Sequence, residues 1–143
     1  MRKATLVLTV LFLNGAAPAA DQARVLQESE MKWGDTGEPF PNTQAAVVNG
    51  DPSKAGPFIM RWRCPDNYKI APHVHPATEE VTIVQGTFFI GEGDKFQESN
   101  LKPVKQGGFM SMPGGKAHYG MCKGTTVLEI HAMGPWDTTM LAN

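Results

Sequence analysis

Alternation of apolar and polar residues is the strongest pattern in this chain, and it predicts β-strands. In residues 58–63 the apolar side chains Phe58, Met60 and Trp62 occur at every second position. Because neighbouring side chains of a strand point to opposite faces, these three form one apolar face. Segments rich in glycine and proline separate five predicted strands, which are residues 58–63, 81–84, 87–90, 109–112 and 126–132.

The spacing of these segments predicts an all-β domain. No stretch after residue 21 keeps a helical period, so there is no helix to support crossovers between parallel strands. Many short strands joined by tight turns favour an antiparallel sandwich or barrel. We interpret residues 20–56 as an N-terminal arm with one short strand at residues 45–48, and residues 57–143 as the barrel core.

The first residues have the pattern of a secretory signal peptide. Arg2 and Lys3 precede an apolar run at residues 4–13, and Ala17-Pro18-Ala19 follows. This order is typical of cleavage rather than anchoring, since the apolar run is short for a membrane span. We therefore assign residues 1–19 to a signal peptide and expect an exported protein, periplasmic or secreted, with no stable membrane anchor. An uncleaved anchor or a buried core helix is the alternative.

Charge and cysteine content narrow the function further. Removal of Arg2 and Lys3 leaves 11 basic against 14 acidic residues, a net charge of −3. Such a balance predicts no nucleic-acid partner. Cys64 and Cys122 are the two cysteines. An oxidising compartment permits a disulfide without requiring one, so a bridge, two buried thiols or one redox-active sulfur all remain open.

Three histidines and one glutamate have the spacing of metal ligands. His73 and His75 lie one residue apart, so on a strand their imidazoles point the same way. A bend at Pro76 would return Glu79 to the same point. His118 follows a Pro-Gly turn farther along the chain. Such a nitrogen and oxygen set suits one divalent transition metal, which is iron, manganese, nickel, copper or zinc.

These residues also resemble the two motifs of the cupin family. The first motif, G(X)5HXH(X)3,4E(X)6G, is matched by Asn67, His73, His75, Glu79 and Gly86. The second, G(X)5PXG(X)2H(X)3N, is matched by Gly107, Pro113, Gly115, His118 and Cys122. The paired motifs are more specific than either alone.

Two positions depart from the family pattern. Asn67 stands where the first motif has glycine, and asparagine tolerates the left-handed backbone conformation that glycine often supplies. Cys122 replaces the final asparagine. It has the strand parity of His118 if the chain stays extended, and would then face the barrel interior.

The resemblance implies a fold and a ligand set. The fold is a cupin double-stranded β-helix, or jelly-roll barrel, with a short N-terminal arm. The implied metal ligands are His73, His75, Glu79 and His118, with Glu80 pointing away. The leading hypothesis is a metal-dependent oxidoreductase, dioxygenase-like, acting on a small molecule. The alternatives are a non-catalytic ligand-binding or sensing module and a storage protein. We expect a homodimer, because exposed edge strands commonly pair between copies.

Other side chains offer weaker candidates for chemistry. His131 and Tyr119 are candidate catalytic acids or bases. His131 shares a strand face with Glu129, opposite the apolar face of Leu128 and Ile130, so an outward position is favoured for it. Three methionines lie near His118 in sequence and suggest either soft copper ligands or, more simply, fillers of the interior: Met110, Met112 and Met121.

Overall fold

The computed structural model describes residues 23–142 and shows an almost entirely β architecture. The predicted signal peptide lies outside the described residues, so its assignment stays a prediction. Within the described part of the chain there is no α-helix, and two short 3-10 turns occur at Glu28–Glu30 and Glu98–Asn100. No helix in residues 23–142 is long and apolar enough to cross a membrane.

Nine strands within residues 23–142 form the sheet, and all of their pairings are antiparallel. In chain order they are β1 (Gly34–Asp35), β2 (Gln44–Asn49), β3 (Gly56–Cys64), β4 (Lys69–Val74), β5 (Glu79–Glu92), β6 (Lys102–Lys105), β7 (Phe109–Met112), β8 (His118–Gly134) and β9 (Thr139–Met140).

The two longest strands, β5 and β8, hold the barrel together. They pair along most of their length, and each also pairs with different partners at its two ends. The first part of β8 pairs with β4 and its last part with β3. The first part of β5 pairs with β7 and its last part with β6. Because each long strand thus contributes to two faces, the sheet curls around one interior.

The predicted strands are present, with one difference in continuity. Residues 81–84 and 87–90 were expected as two strands, but they belong to the single strand β5. The register between β5 and β8 shifts near Gln85 and Gly86, which allows the strand to bend without ending. Gly86 has φ 76°, and a Cβ there would lie 2.7 Å from the Thr125 carbonyl oxygen. The glycine therefore marks the bend that sequence patterning suggested as a turn.

The interior is apolar, as the alternation predicted. Phe58 and Trp62 of β3 are buried, whereas Arg61 and Arg63 lie on the opposite face. Arg61 Nε donates to Glu129 Oε2 at 2.9 Å on that outer face. The buried core cluster consists of Trp62, Cys64, Ile70, Val81, Ile83, Phe88, Cys122, Leu128 and Ile130.

A disulfide joins Cys64 at the end of β3 to Cys122 in β8. Both residues are fully buried. Of the bridge, the two buried thiols and the redox-active sulfur that the sequence left open, the structure shows the bridge. Asn67, directly beside it, has φ 59° and so adopts the left-handed conformation expected of a glycine substitute. Its backbone N–H donates to the Cys122 carbonyl at 2.9 Å.

Candidate metal centre

The structure brings the four predicted ligands together inside the barrel. His73 lies in β4, His75 follows directly after it, Glu79 begins β5 and His118 begins β8. Each of the four is at most 7% exposed. One ring nitrogen from each histidine lies within 4.8 Å of the others. His118 Nε2 lies 3.0 Å from Glu79 Oε1, and His75 Nε2 lies 3.8 Å from Glu79 Oε2.

Strand pairing accounts for this convergence. His73 of β4 stands opposite His118 of β8, so two ligands from distant parts of the sequence become neighbours across the sheet. The chain turns at Pro76 and enters β5 at Glu79, as the sequence predicted. Glu80, the next residue, is exposed on the outer face, because side chains alternate along the strand.

Backbone carbonyls fix the orientation of all three imidazoles. His73 Nδ1 donates to the Ala71 carbonyl at 2.8 Å, and His118 Nδ1 donates to the Lys116 carbonyl at 2.9 Å. His75 Nδ1 donates to the Asp137 carbonyl at 2.8 Å. In a neutral ring, a proton on Nδ1 leaves the Nε2 lone pair available for a cation. Such outer hydrogen bonds are what orient histidine ligands in metal sites.

Aromatic rings complete the surroundings of the histidines. Trp136 stacks on His75 with ring centroids 4.1 Å apart and an angle of 23° between the planes. Phe40 meets His73 edge to face at 5.6 Å. These contacts restrict rotation of the two imidazoles and keep water from their outer sides.

The electrostatics of the cluster favour a cation. Burial and the neighbouring His118 lower the pKa of His73 to about 4, and burial also lowers the pKa of His75. Burial alone would raise the pKa of Glu79, but the hydrogen bond to His118 and the electrostatic influence of the neighbouring imidazoles outweigh it and hold this pKa below its ordinary value. Two neutral imidazoles thus stand beside an ionised carboxylate.

The pKa of His118 is shifted in the opposite direction to those of His73 and His75. Burial acts to lower its pKa, but the hydrogen bond to Glu79 raises that pKa above the ordinary value. His118 Nε2 therefore carries the proton that bonds to Glu79, and a metal ion bound through this nitrogen would displace that proton. One nitrogen from each of three imidazoles, with a carboxylate beside His75 and His118, is a donor set that fits a divalent transition metal.

A cavity of about 250 Å³ opens beside this cluster. Its walls are mostly aliphatic and aromatic, and besides the four clustered residues they include Phe40, Met60, Trp62, Ile70, Val81, Phe88, Met110, Leu128, Ile130 and Trp136. An apolar pocket with a few convergent polar groups is the usual form of a small-molecule site. Met110 lines this wall beside other apolar side chains, which fits a filler better than a copper ligand.

The two candidate acids or bases are not brought to the cluster. His131 lies on the outer face of β8 with its side chain 44% exposed, and its Nε2 is 3.2 Å from Glu129 Oε1. This is the outward position that alternation favoured. Tyr119 has a buried side chain, but its hydroxyl donates to the Gln97 carbonyl and its ring packs on Phe96.

Sequence reasoning missed the contribution of the C-terminal segment to the site. Thr139 and Met140 form β9, which pairs with Val74 and His73 of β4. This pairing places the Asp137 carbonyl and the Trp136 ring against His75. Local patterning does not indicate this contact, because the return of the C-terminal segment to β4 is a long-range pairing.

Comparison with known proteins finds similarity in structure alone. No protein-family model matches the chain, and no curated protein matches it in sequence. A double-stranded β-helix protein from Klebsiella pneumoniae has a TM-score of 0.62 and 17% identity, covering 85% of this chain and 100% of that one.

Two further solved structures belong to proteins with a stated activity. The polyketide cyclase RemF from Streptomyces resistomycificus has a TM-score of 0.66 and 18% identity, covering 85% of this chain and 89% of its own. A candidate acetylacetone dioxygenase from Methylibium petroleiphilum has a TM-score of 0.64 and 14% identity, with 88% and 85% covered. At such identities the likeness establishes the fold and leaves the activity to the site.

Proposed function

We propose that this chain, which has the double-stranded β-helix fold of the cupins, binds one divalent transition metal. We further propose that it uses the metal in oxidoreductase chemistry on a small molecule. The observation that carries this proposal is the convergence of three buried imidazoles and one carboxylate beside an apolar cavity. The metal ligands in this proposal are His73, His75, Glu79 and His118. The dioxygenase among the structural neighbours supports the same reaction class.

In this proposal the protein supplies geometry, charge and a dry environment. A divalent transition metal would supply a Lewis-acidic and redox-capable centre next to the bound molecule. The Nδ1 hydrogen bonds hold the Nε2 atoms of the three histidines in place, so little reorganisation accompanies binding. Glu79 contributes the single negative charge of the cluster. The apolar walls exclude water, which strengthens electrostatic interactions at the centre.

A ligand-binding or sensing module is the second candidate, and one observation favours it. Among the described residues, the cavity wall offers no acid or base beyond the four clustered side chains and Tyr119, whose hydroxyl is bonded to Gln97. A general acid would therefore have to come from the substrate, solvent or the ligands themselves. Turnover distinguishes the two candidates.

Oxygen uptake tests the proposed activity directly. Metal-free protein is loaded separately with iron(II), manganese(II), nickel(II), copper(II) or zinc(II) and mixed with small diketones and phenols in an oxygen electrode. We expect uptake that requires both a redox-active metal and an organic substrate, and its loss in His118→Ala. The control is His131→Ala, which removes a histidine from the outer face. Binding of the compounds without uptake for any metal would favour the sensing module.

Export and dimer formation also belong to this proposal. The buried disulfide between Cys64 and Cys122 supports an oxidising compartment, since such bridges are rare in reducing ones. The predicted signal peptide at residues 1–19 supports the same location, periplasmic or secreted. A homodimer remains our expectation for the assembled protein.

A further inference from the structure

The polar groups of the cavity are distributed unequally, and this distribution restricts the class of molecule that can bind there. All of its ionisable side chains apart from Tyr119 lie in the cluster of His73, His75, Glu79 and His118. The remaining wall, within residues 23–142, contains no lysine, arginine or aspartate. A molecule bound there would therefore meet polar atoms at one end and hydrocarbon at the other.

The two threonine hydroxyl groups of the wall already have hydrogen-bond partners. Thr36 Oγ1 donates to the Phe40 carbonyl at 2.8 Å. Thr138 Oγ1 lies 3.3 Å from His75 Nδ1. Neither is placed to solvate a charge in the apolar part of the cavity.

The two arginines of β3 cannot serve as counter-ions, because they lie on the face of this strand that is turned away from the cavity. Arg61 is paired with Glu129 on the outer surface. The guanidinium of Arg63 lies over the Trp33 ring, 4.3 Å from its centroid. A charged group buried without a partner is costly, so an anionic substituent in the apolar part would be rejected.

The volume of the cavity limits the size of the ligand that it can hold. Benzene fits a dry cavity of about 150 Å³ in the well-known engineered example. The 250 Å³ here leaves room for one ring with a small substituent, or an open chain of similar bulk.

We propose that the cavity selects an uncharged, mainly apolar molecule of about one substituted ring, with a single oxygen-bearing end directed at the histidine cluster. This inference rests on the proposed function for the identity of the reacting end. It adds the substrate class, and it excludes substrates that carry a second, distal charge.

A matched pair of probes tests this selection on metal-free protein. 4-Isopropylacetophenone and 4-acetylbenzoate share a ring and an acetyl group, and their distal groups are similar in shape but differ in charge. Calorimetric titration at pH 7 is expected to show at least tenfold tighter binding of the isopropyl compound. Equal affinities, or no binding of either compound, would overturn the proposal.

A charge-reversal variant sharpens the test. Met110→Lys introduces an ammonium group at the apolar wall, and it is expected to shift the affinity ratio at least tenfold towards 4-acetylbenzoate. Met133→Lys is the matched control, because Met133 is 54% exposed on the outer surface and should leave both affinities unchanged. An unchanged ratio in folded Met110→Lys protein would contradict the proposal, and the wild-type comparison stands if that variant fails to fold.

The outcomes separate this inference from the proposed function. Metal-free protein tests the cavity without any metal, so a preference for the neutral probe can hold even if no oxygen uptake is found. Conversely, oxygen uptake with substrates that carry a distal carboxylate would leave the oxidoreductase proposal intact and remove this one.

Discussion

At the scale of single residues, the site depends on groups that contact the histidines away from the centre of the cluster. His75 is the clearest case, since it is held by the Asp137 carbonyl through Nδ1 and by the Trp136 ring across its face. Neither contact involves the Nε2 atom that faces the cluster. Trp136 therefore acts as a positioning residue for His75, and its removal should loosen the imidazole without deleting a ligand.

Replacement of Trp136 tests this role. Trp136→Leu keeps an apolar side chain but removes the stacking contact, so we expect zinc affinity to fall about tenfold, as for other groups that orient ligands. The measurement is competition with a chromophoric chelator, together with the visible spectrum of the cobalt(II)-loaded protein, which reports ligand geometry. Trp33→Leu is the control, because Trp33 packs on Arg63 on the outer side of the sheet. Unchanged affinity and spectrum in Trp136→Leu would exclude a positioning role.

The sequence pattern predicted the four clustered side chains because their positions follow from short-range features of the chain. His73 and His75 share a direction through strand alternation, and Glu79 follows a proline bend. The contribution of Trp136 could not be reached in this way. It depends on β9 returning to β4, and two paired residues leave too weak a local signal to identify.

At the scale of elements, β5 and β8 carry the architecture. The sequence predicted pieces of both, but it did not show that each is one long strand that bends. Such bends arise from register shifts, which need the partner strand to be known. The short strands β6 and β9 were also missed, because each is only a few residues long and lacks clear alternation.

The disulfide also acts at the scale of elements, because it links β3 covalently to β8 across the core. The two cysteines are 58 residues apart in sequence, and closing a loop of that length is worth on the order of 4 kcal/mol in the chain-entropy account. Sequence alone could not choose this pairing, since it depends on which strands become neighbours.

Removal of the bridge should lower stability without abolishing the fold. We expect the double variant Cys64→Ala and Cys122→Ala to melt about 10 to 20 °C below the wild type, since a domain of this size loses a few degrees per kcal/mol. Differential scanning calorimetry measures this shift. Wild type treated with reductant under the same conditions is the control and should melt near the double variant. An unchanged melting temperature would show that the bridge does not form in the native protein.

At the scale of the whole molecule, an apolar barrel encloses a cluster of three histidines and one glutamate that borders a cavity. The fold brings these side chains together from β4, β5, β8 and the turn after β4, while the same strands line the cavity with apolar side chains. This arrangement accounts for the lowered pKa values of His73 and Glu79 together, since burial disfavours charge on His73 and the imidazoles stabilise charge on Glu79. A divalent ion would satisfy both.

Metal content is the measurement that tests this account most directly. Protein purified from its native compartment is analysed for its elements, together with the double variant His75→Ala and His118→Ala and with the outward control Glu80→Gln. We predict close to one iron, manganese, nickel, copper or zinc ion per chain in wild type and control, and loss of that ion in the double variant. No metal in the native protein, and no uptake when each ion is added, would contradict the account.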